Sequence, residues 1–354
     1  MRKYIVRTYP IVIVICLLLL SILNGCAFGD KEKEHSKNVF ALNTWINIRI
    51  YAGREGPKIL DRAVQRIDEI ERRMSITIED SDVSRINSNA GIQPVKVHDD
   101  TFKVIEKALE YSRLSEGTFD ITIYPIVQLW GITSEHPRVP SDEEIRERLR
   151  LVDYRKVVLN KEEGTVYLQE KGMGIDLGAI AKGYAADEVV RVLKQAGVKH
   201  ALINMGGNVI VLGKKPNDQP WRIGIQDPRS DGVRRHIAVV EAVNESVVSS
   251  GDYERYIEDV YKKTGVRYHH IFDTSTGYPA DSGLMATTVV AENSIDADAL
   301  STIVFVMGAD KGLDIVEQLG NSEAMAVTVD KKIYTSRGFD KRLTVTDEEY
   351  EIMP

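Results

Sequence analysis

The passage Gly172-Met173-Gly174-Ile175-Asp176-Leu177-Gly178 joins a strand-like pattern to a helix-like one, and Lys182 follows one turn inside that helix. Exposed backbone N–H groups and the positive end of a helix dipole favour anions at such a junction. The spacing is not that of the dinucleotide fingerprint, and Gly178 to Gly183 is not a P-loop, because its lysine and glycine are misplaced. Glycines alone would serve a structural turn. Asp176 and Lys182 shift the reading toward a phosphate cradle, since the lysine can reach a pyrophosphate and the acid can bind a hydroxyl or ring nitrogen. Each by itself would serve equally as a surface ion-pair partner.

Asp296, Asp298 and Thr302 open a second helical stretch, and Asp298 and Thr302, four apart, share one face. A carboxylate, a hydroxyl and backbone carbonyls suit Mg²⁺, which prefers oxygen and keeps waters that bridge to phosphates. Acids in a first turn also complement the helix dipole with no metal at all. Zinc lacks ligands: of the 7 histidines only His269 and His270 adjoin, and in a strand neighbouring side chains face opposite ways. His270 precedes the turn-rich run from Ile271 to Gly277, where a base could overlook a cleft or a histidine could simply be satisfied structurally. Gly206-Gly207 and Ser249-Ser250-Gly251-Asp252-Tyr253 are further places where backbone could approach a ligand closely. No nucleophile elbow surrounds either serine.

These residues need a scaffold, and periodicity supplies one. Apolar spacing predicts helices over 59–74, 101–115, 142–149, 179–196, 295–307 and 310–319. Strand patterns fall at 43–51, 201–204, 209–212, 221–225, 237–241, 246–249, 268–272 and 286–291, with a hairpin of 156–159 and 165–168. Hairpins mixed with separated helices predict an α+β fold of mixed, largely antiparallel sheets with packed helices, forming a single unit over 39–345 with a tail at 346–354.

The 354 residues are 43% hydrophobic, ordinary for a globular chain, and the net charge of −7 offers no basic excess for nucleic acid. At the start, Arg2, Lys3 and Arg7 precede an apolar run over 11–20, and Leu23-Asn24-Gly25-Cys26 follows. This predicts a lipoprotein signal peptide over 1–25, lipidation of Cys26, a polar tether over 26–38 and an extracytoplasmic protein held on the cell membrane. A plain secretory signal or an uncleaved anchor is the alternative. Cys16 is the only other cysteine and lies within the removed part, which excludes disulfides, thiolate metal sites and a cysteine nucleophile from the exported body.

In order along the chain, several short marks resemble the FAD:protein FMN transferase (ApbE) family. They are Met74-Ser75 with Ser84-Arg85-Ile86-Asn87, Gly117-Thr118-Phe119-Asp120 with Trp130-Gly131, Asp176 through Lys182-Gly183-Tyr184, and Asn204-Met205-Gly206-Gly207-Asn208. Ser250-Gly251-Asp252-Tyr253, His270-Ile271 with Asp273 and Thr276-Gly277, and Ala297-Asp298-Ala299 with Thr302 complete them. The family's Met-Gly-Thr stands here as Leu42-Asn43-Thr44, a tyrosine expected near Thr77 is replaced, and Thr274 stands where proline is usual.

By that resemblance Asp298 and Thr302 are metal ligands, with Ala179 offering its carbonyl and Ser301 at a position the family sometimes uses. Leu42, Thr118, Phe119, Asp120, Asp176, Lys182 and Ile271 contact FAD, and His270 and Lys182 are the catalytic candidates. The implied reaction is Mg²⁺-dependent transfer of FMN from FAD to a threonine or serine hydroxyl of an acceptor flavoprotein, releasing AMP. Magnesium-dependent FAD hydrolysis to FMN and AMP, and a non-catalytic flavin-binding lipoprotein, are the competing readings.

Overall fold

In the computed structural model, which describes residues 32–230 and 235–353, a hairpin of Lys33–Ala41 and Thr44–Ala52 begins a nine-stranded sheet. Across that sheet follow His200–Met205, Asn208–Leu212, Ser246–Gly251, Leu284–Ala291, Ser322–Thr328, Lys332–Thr335 and Glu351–Ile352, so spatial order follows chain order. Neighbours are antiparallel up to Lys332–Thr335, and only its pairing with Glu351–Ile352 is parallel.

Alternation along the strands divides the interior in two. Ile46, Ile48, Ile50, Val248 and Val289 face helices Gly56–Met74, Ala181–Gln195 and Ser294–Met307. Val247 and Val290 face the opposite core, beneath a three-stranded sheet of Trp221–Gln226, His236–Ala242 and Leu343–Val345. Leu284–Ala291 is buried at every position because it lies between both layers. Helix Gly56–Met74 buries Ile59, Ala63, Ile67 and Ile70 on one face, and each such isoleucine contributes roughly 1.5–3 kcal/mol.

A third, smaller core surrounds Trp130, whose ring meets Tyr268, Phe272 and Tyr278. Its indole N–H donates to the Gly277 carbonyl at 2.9 Å, fastening the chain segment that carries His270. The α+β fold with largely antiparallel sheets is therefore as expected.

Three boundaries differ. Residues 33–38, read as tether, are strand, since Lys33 through Asn38 pair in register with Ala52 through Asn47. Their alternating charges belong to an edge strand, where charge is tolerated and protective. Residues 346–354, read as a tail, include buried Tyr350 and the strand Glu351–Ile352. Residues 268–272 form no strand; they make only the isolated bridges Tyr256↔His269 and Phe272↔Pro279. The 1–25 signal segment and Cys26 lie outside the described residues. Among the described residues no helix is long and apolar enough to cross a membrane.

Candidate active site

The glycine turn is shaped from outside itself. Asn87 Oδ1 accepts the Ile175 N–H at 2.7 Å and Asn87 Nδ2 donates to the Ile175 carbonyl at 3.0 Å, a two-point clamp on one peptide position. The Asp176 N–H donates to the Ile121 carbonyl at 2.8 Å, while Asp176 Oδ1 accepts from Gly178 N at 2.7 Å. Gly174 is required by space, because a Cβ there would stand 2.5 Å from the Tyr124 ring.

From this turn helix Ala181–Gln195 departs, and it packs against helix Ser294–Met307, each start capped by an acid of the other. Asp298 Oδ2 accepts the Gly183 N–H at 2.9 Å, and Asp298 Oδ1 lies 3.3 Å from Lys182 Nζ. Lys182 Nζ also donates to the Gly178 carbonyl at 3.2 Å. In return Asp187 caps the second helix, accepting Ser294 N at 2.7 Å and Ile295 N at 2.9 Å. The approach depends on Gly183, since a Cβ there would fall 2.3 Å from the Ser294 carbonyl oxygen. Burial pushes the Asp187 carboxyl up to about 6, with its two amide donors opposing and the nearby Asp296 and Glu188 charges assisting.

Asp298 is nearly inaccessible, at 2% exposure, whereas Thr302, one turn along the same helix, is half-buried. The Thr302 hydroxyl makes no hydrogen bond with another described residue, which leaves it available. Ser301 differs: its hydroxyl donates to the Asp298 carbonyl at 2.9 Å and lies 2.8 Å from Ser250 Oγ, facing the sheet. Ala179 sits in the turn directly after Gly178, half-buried. Among the described residues no three His, Cys, Asp or Glu side chains converge. One carboxylate, one hydroxyl and turn carbonyls are the oxygen donors that suit a hard, partly hydrated cation.

His269 and His270 diverge, although not through strand alternation. His269 is buried, with Nε2 2.9 Å from the Ala280 carbonyl and Nδ1 accepting Ile271 N at 3.2 Å. His270 donates its backbone N–H to the Arg255 carbonyl at 3.1 Å, and its Nδ1 lies 3.3 Å from the same oxygen. Burial, then the Arg255, His269 and Lys182 charges, depress the His270 imidazole to about 3, so the ring is neutral at pH 7. Ile271 beside it is buried.

Around this centre Lys182 and Arg255 also act on Asp176 and on Glu254, whose carboxyls burial raises and those two cations lower. Arg255 reaches further, donating from Nη2 to the Asn43 carbonyl at 2.6 Å. Leu42, the preceding residue, sends its N–H to Glu71 Oε1 at 2.9 Å. The glycine pair lies next to it: a Cβ on Gly206 would overlap Thr44, and one on Gly207 would be 3.6 Å from Glu254 Oε1.

Thr118 and Asp120 line a cavity of about 490 Å³ shared with Tyr154, Arg155, Asp273 and Lys311. Its wall is tied by Thr274 Oγ1, which donates to the Gly117 carbonyl at 2.7 Å, and the carbonyl of Ile121, next to Asp120, accepts the Asp176 N–H. Asp120 spends its carboxylate on Thr122 N, Thr122 Oγ1 and Tyr154 N. Phe119 is buried, its ring edge-on to Tyr111 at 6.4 Å. Of the candidates from sequence, the fold gathers Asp176, Lys182, His270 and Asp298 with Thr302; it sets Thr118 and Asp120 in the neighbouring cavity and turns Phe119 and Ser301 inward. Sequence reasoning missed Glu254, Arg255 and Asp187. The first two follow Asp252-Tyr253 directly, so the motif extended two residues further than it was read.

The geometry agrees with what the chain is similar to. Residues 42–326 match the ApbE family. A FAD:protein FMN transferase of Klebsiella pneumoniae is 35% identical, covering 91% of this chain and 98% of its own length. One of Treponema pallidum is 32% identical over 96% of both. Among solved structures, the ApbE protein of Thermotoga maritima aligns with a TM-score of 0.79 at 34% identity, covering 88% of this chain and 99% of that one. The flavin transferase ApbE from Vibrio cholerae gives 0.79 at 26% identity with the same coverage. The matched span holds the glycine turn, both helix starts and the His270 segment, and on that footing the chain belongs to the ApbE family.

Proposed function

We propose that this protein is an FAD:protein FMN transferase: it moves the FMN half of FAD onto a threonine or serine hydroxyl of an acceptor flavoprotein and releases AMP. The relatives bearing that name support the reaction class. The observation that carries the reading is the bonding of Asp298 to both Gly183 N and Lys182 Nζ, which joins a carboxylate, an ammonium and a helix N-terminus beside a glycine turn.

Magnesium, held by Asp298, Thr302 and the Ala179 carbonyl, would supply charge neutralisation for a pyrophosphate. Lys182 adds a fixed positive charge one turn into the helix, and the turn's amides with the helix dipole orient the phosphates. By the family resemblance Asp176, Leu42, Thr118 and Asp120 hold the flavin nucleotide. Neutral His270, with Nδ1–H turned to the Arg255 carbonyl, presents the Nε2 lone pair. The acceptor oxygen forms a bond to the FMN phosphorus and its proton passes to Nε2. The bond from that phosphorus to the bridging oxygen breaks, and the electron pair leaves with AMP.

The same reading lipidates Cys26 and keeps the enzyme on the outer face of the cell membrane, with the acceptor reached from there. The test incubates the enzyme with FAD, magnesium and a candidate acceptor domain, followed by intact-mass measurement. An FMN-sized mass gain on the acceptor, abolished by chelation, supports the reading; free FMN and AMP with an unmodified acceptor would point to hydrolysis instead.

A further inference from the structure

The turn between the first two strands is unusual in one respect. Leu42 and Asn43 both have positive φ, 51° and 56°, the geometry of a two-residue hairpin turn. Asparagine is at home there, but leucine is strained in that region unless its surroundings hold it. The surroundings do hold it. Glu71 accepts the Leu42 N–H, and Arg255 Nη2 donates to the Asn43 carbonyl.

Arg255 has a second attachment. Its own carbonyl accepts the His270 N–H at 3.1 Å and faces His270 Nδ1 at 3.3 Å. One residue therefore links the first hairpin to the histidine by its side chain at one end and its backbone at the other. It also borders a cavity of about 300 Å³ together with Asn43, Glu254 and Tyr256. The partners on both sides come from distant parts of the chain, and Asn43 and Arg255 are 212 residues apart.

We propose that Arg255 is a positioning residue, which clasps the strained Leu42–Asn43 turn against the nucleotide site and keeps that wall in register with His270. This rests on the FAD-dependent function proposed above. Released from Arg255, the turn relaxes away from the site. FAD then binds more weakly, while the groups around Asp298 stay in place.

The test measures FAD affinity by titration calorimetry with magnesium present, on the full chain, for the wild type, Arg255→Met and Arg255→Lys. Methionine keeps the aliphatic volume and removes the donor, and lysine restores a donor and the charge. Arg255→Met is expected to raise the Kd for FAD about tenfold, the scale of one charge-assisted hydrogen bond, with Arg255→Lys within about threefold of wild type. In turnover the same split appears chiefly as a raised KM for FAD, which lysine restores. Thermal melts report folding; should the methionine variant melt far below wild type, Arg255→Gln, which keeps an amide donor without charge, carries the comparison. Equal affinity in Arg255→Met and wild type overturns the proposal, as does a loss that lysine fails to restore. Failure of the wild type to bind FAD at all would contradict the proposed function instead.

Discussion

Asp298 accepts the backbone N–H of Gly183, so the carboxylate of one helix start closes the first turn of another. The contact brings Lys182 to the same carboxylate and seats both beside the glycine turn. It exists because residue 183 has no side chain. A methyl group would strike the Ser294 carbonyl, which is backbone and cannot rotate aside.

Gly183→Ala is therefore expected to force the two helices apart. Overpacking of this kind costs about 1–3 kcal/mol, so the melting temperature falls and FAD affinity falls with it. A thermal melt and an FAD titration on the same sample check both; an alanine variant as stable and as tight-binding as wild type would contradict the geometry.

Asn87→Ala removes the clamp on Ile175 and leaves its N–H and carbonyl without those partners. A loss of about 1–3 kcal/mol in chemical denaturation is expected, and an unchanged unfolding free energy would contradict the clamp.

Asp187 gives a pH signature. Its folded carboxyl titrates at about 6 against an ordinary 3.8, so between those values the native state binds more protons than the unfolded one. Stability from this group is then present at low pH and is lost as pH rises toward 6. The wild type should lose on the order of 2–3 kcal/mol relative to Asp187→Asn between pH 4 and pH 7. Unfolding free energies of both proteins at the two pH values test this, and a relative gain by the wild type would refute it.

His270, held near 3, should act as an unprotonated base across the neutral range. The acid limb of the transfer rate is expected well below the ordinary histidine value of 6.5. His270→Ala should lower kcat, by less than the roughly 10²–10⁴-fold worth of a base matched to the working pH, because so weak a base takes a proton less readily. A limb at 6.5 in the wild type would contradict the buried environment.

Helices 142–149 and 295–307 are legible in the sequence almost to the residue, the first from charged residues around a single buried Ile145 and the second from an apolar run buried nearly all round. The strand Lys33–Ala41 is not, since its lysine and glutamate alternation is what an edge strand and a solvated tether share. Segment 268–272 reads as a strand by composition, yet its pairing stops at the isolated bridges Tyr256↔His269 and Phe272↔Pro279, and the Trp130 ring packs against it. In the site, Asp176, Lys182, His270 and Asp298 were visible as residue types beside turns and helix starts. Their meeting was implied by the family resemblance alone, because no local pattern carries it: it depends on a missing Cβ at Gly183. The Arg255 link to Asn43 spans most of the chain and leaves no local pattern.

The central claim is tested most directly by FMN transfer in Asp298→Ala, followed by intact-mass measurement of the acceptor with and without magnesium. The account predicts that transfer collapses in the variant and that added magnesium does not restore it, while the fold persists by thermal melt. Undiminished transfer that also survives chelation would contradict it.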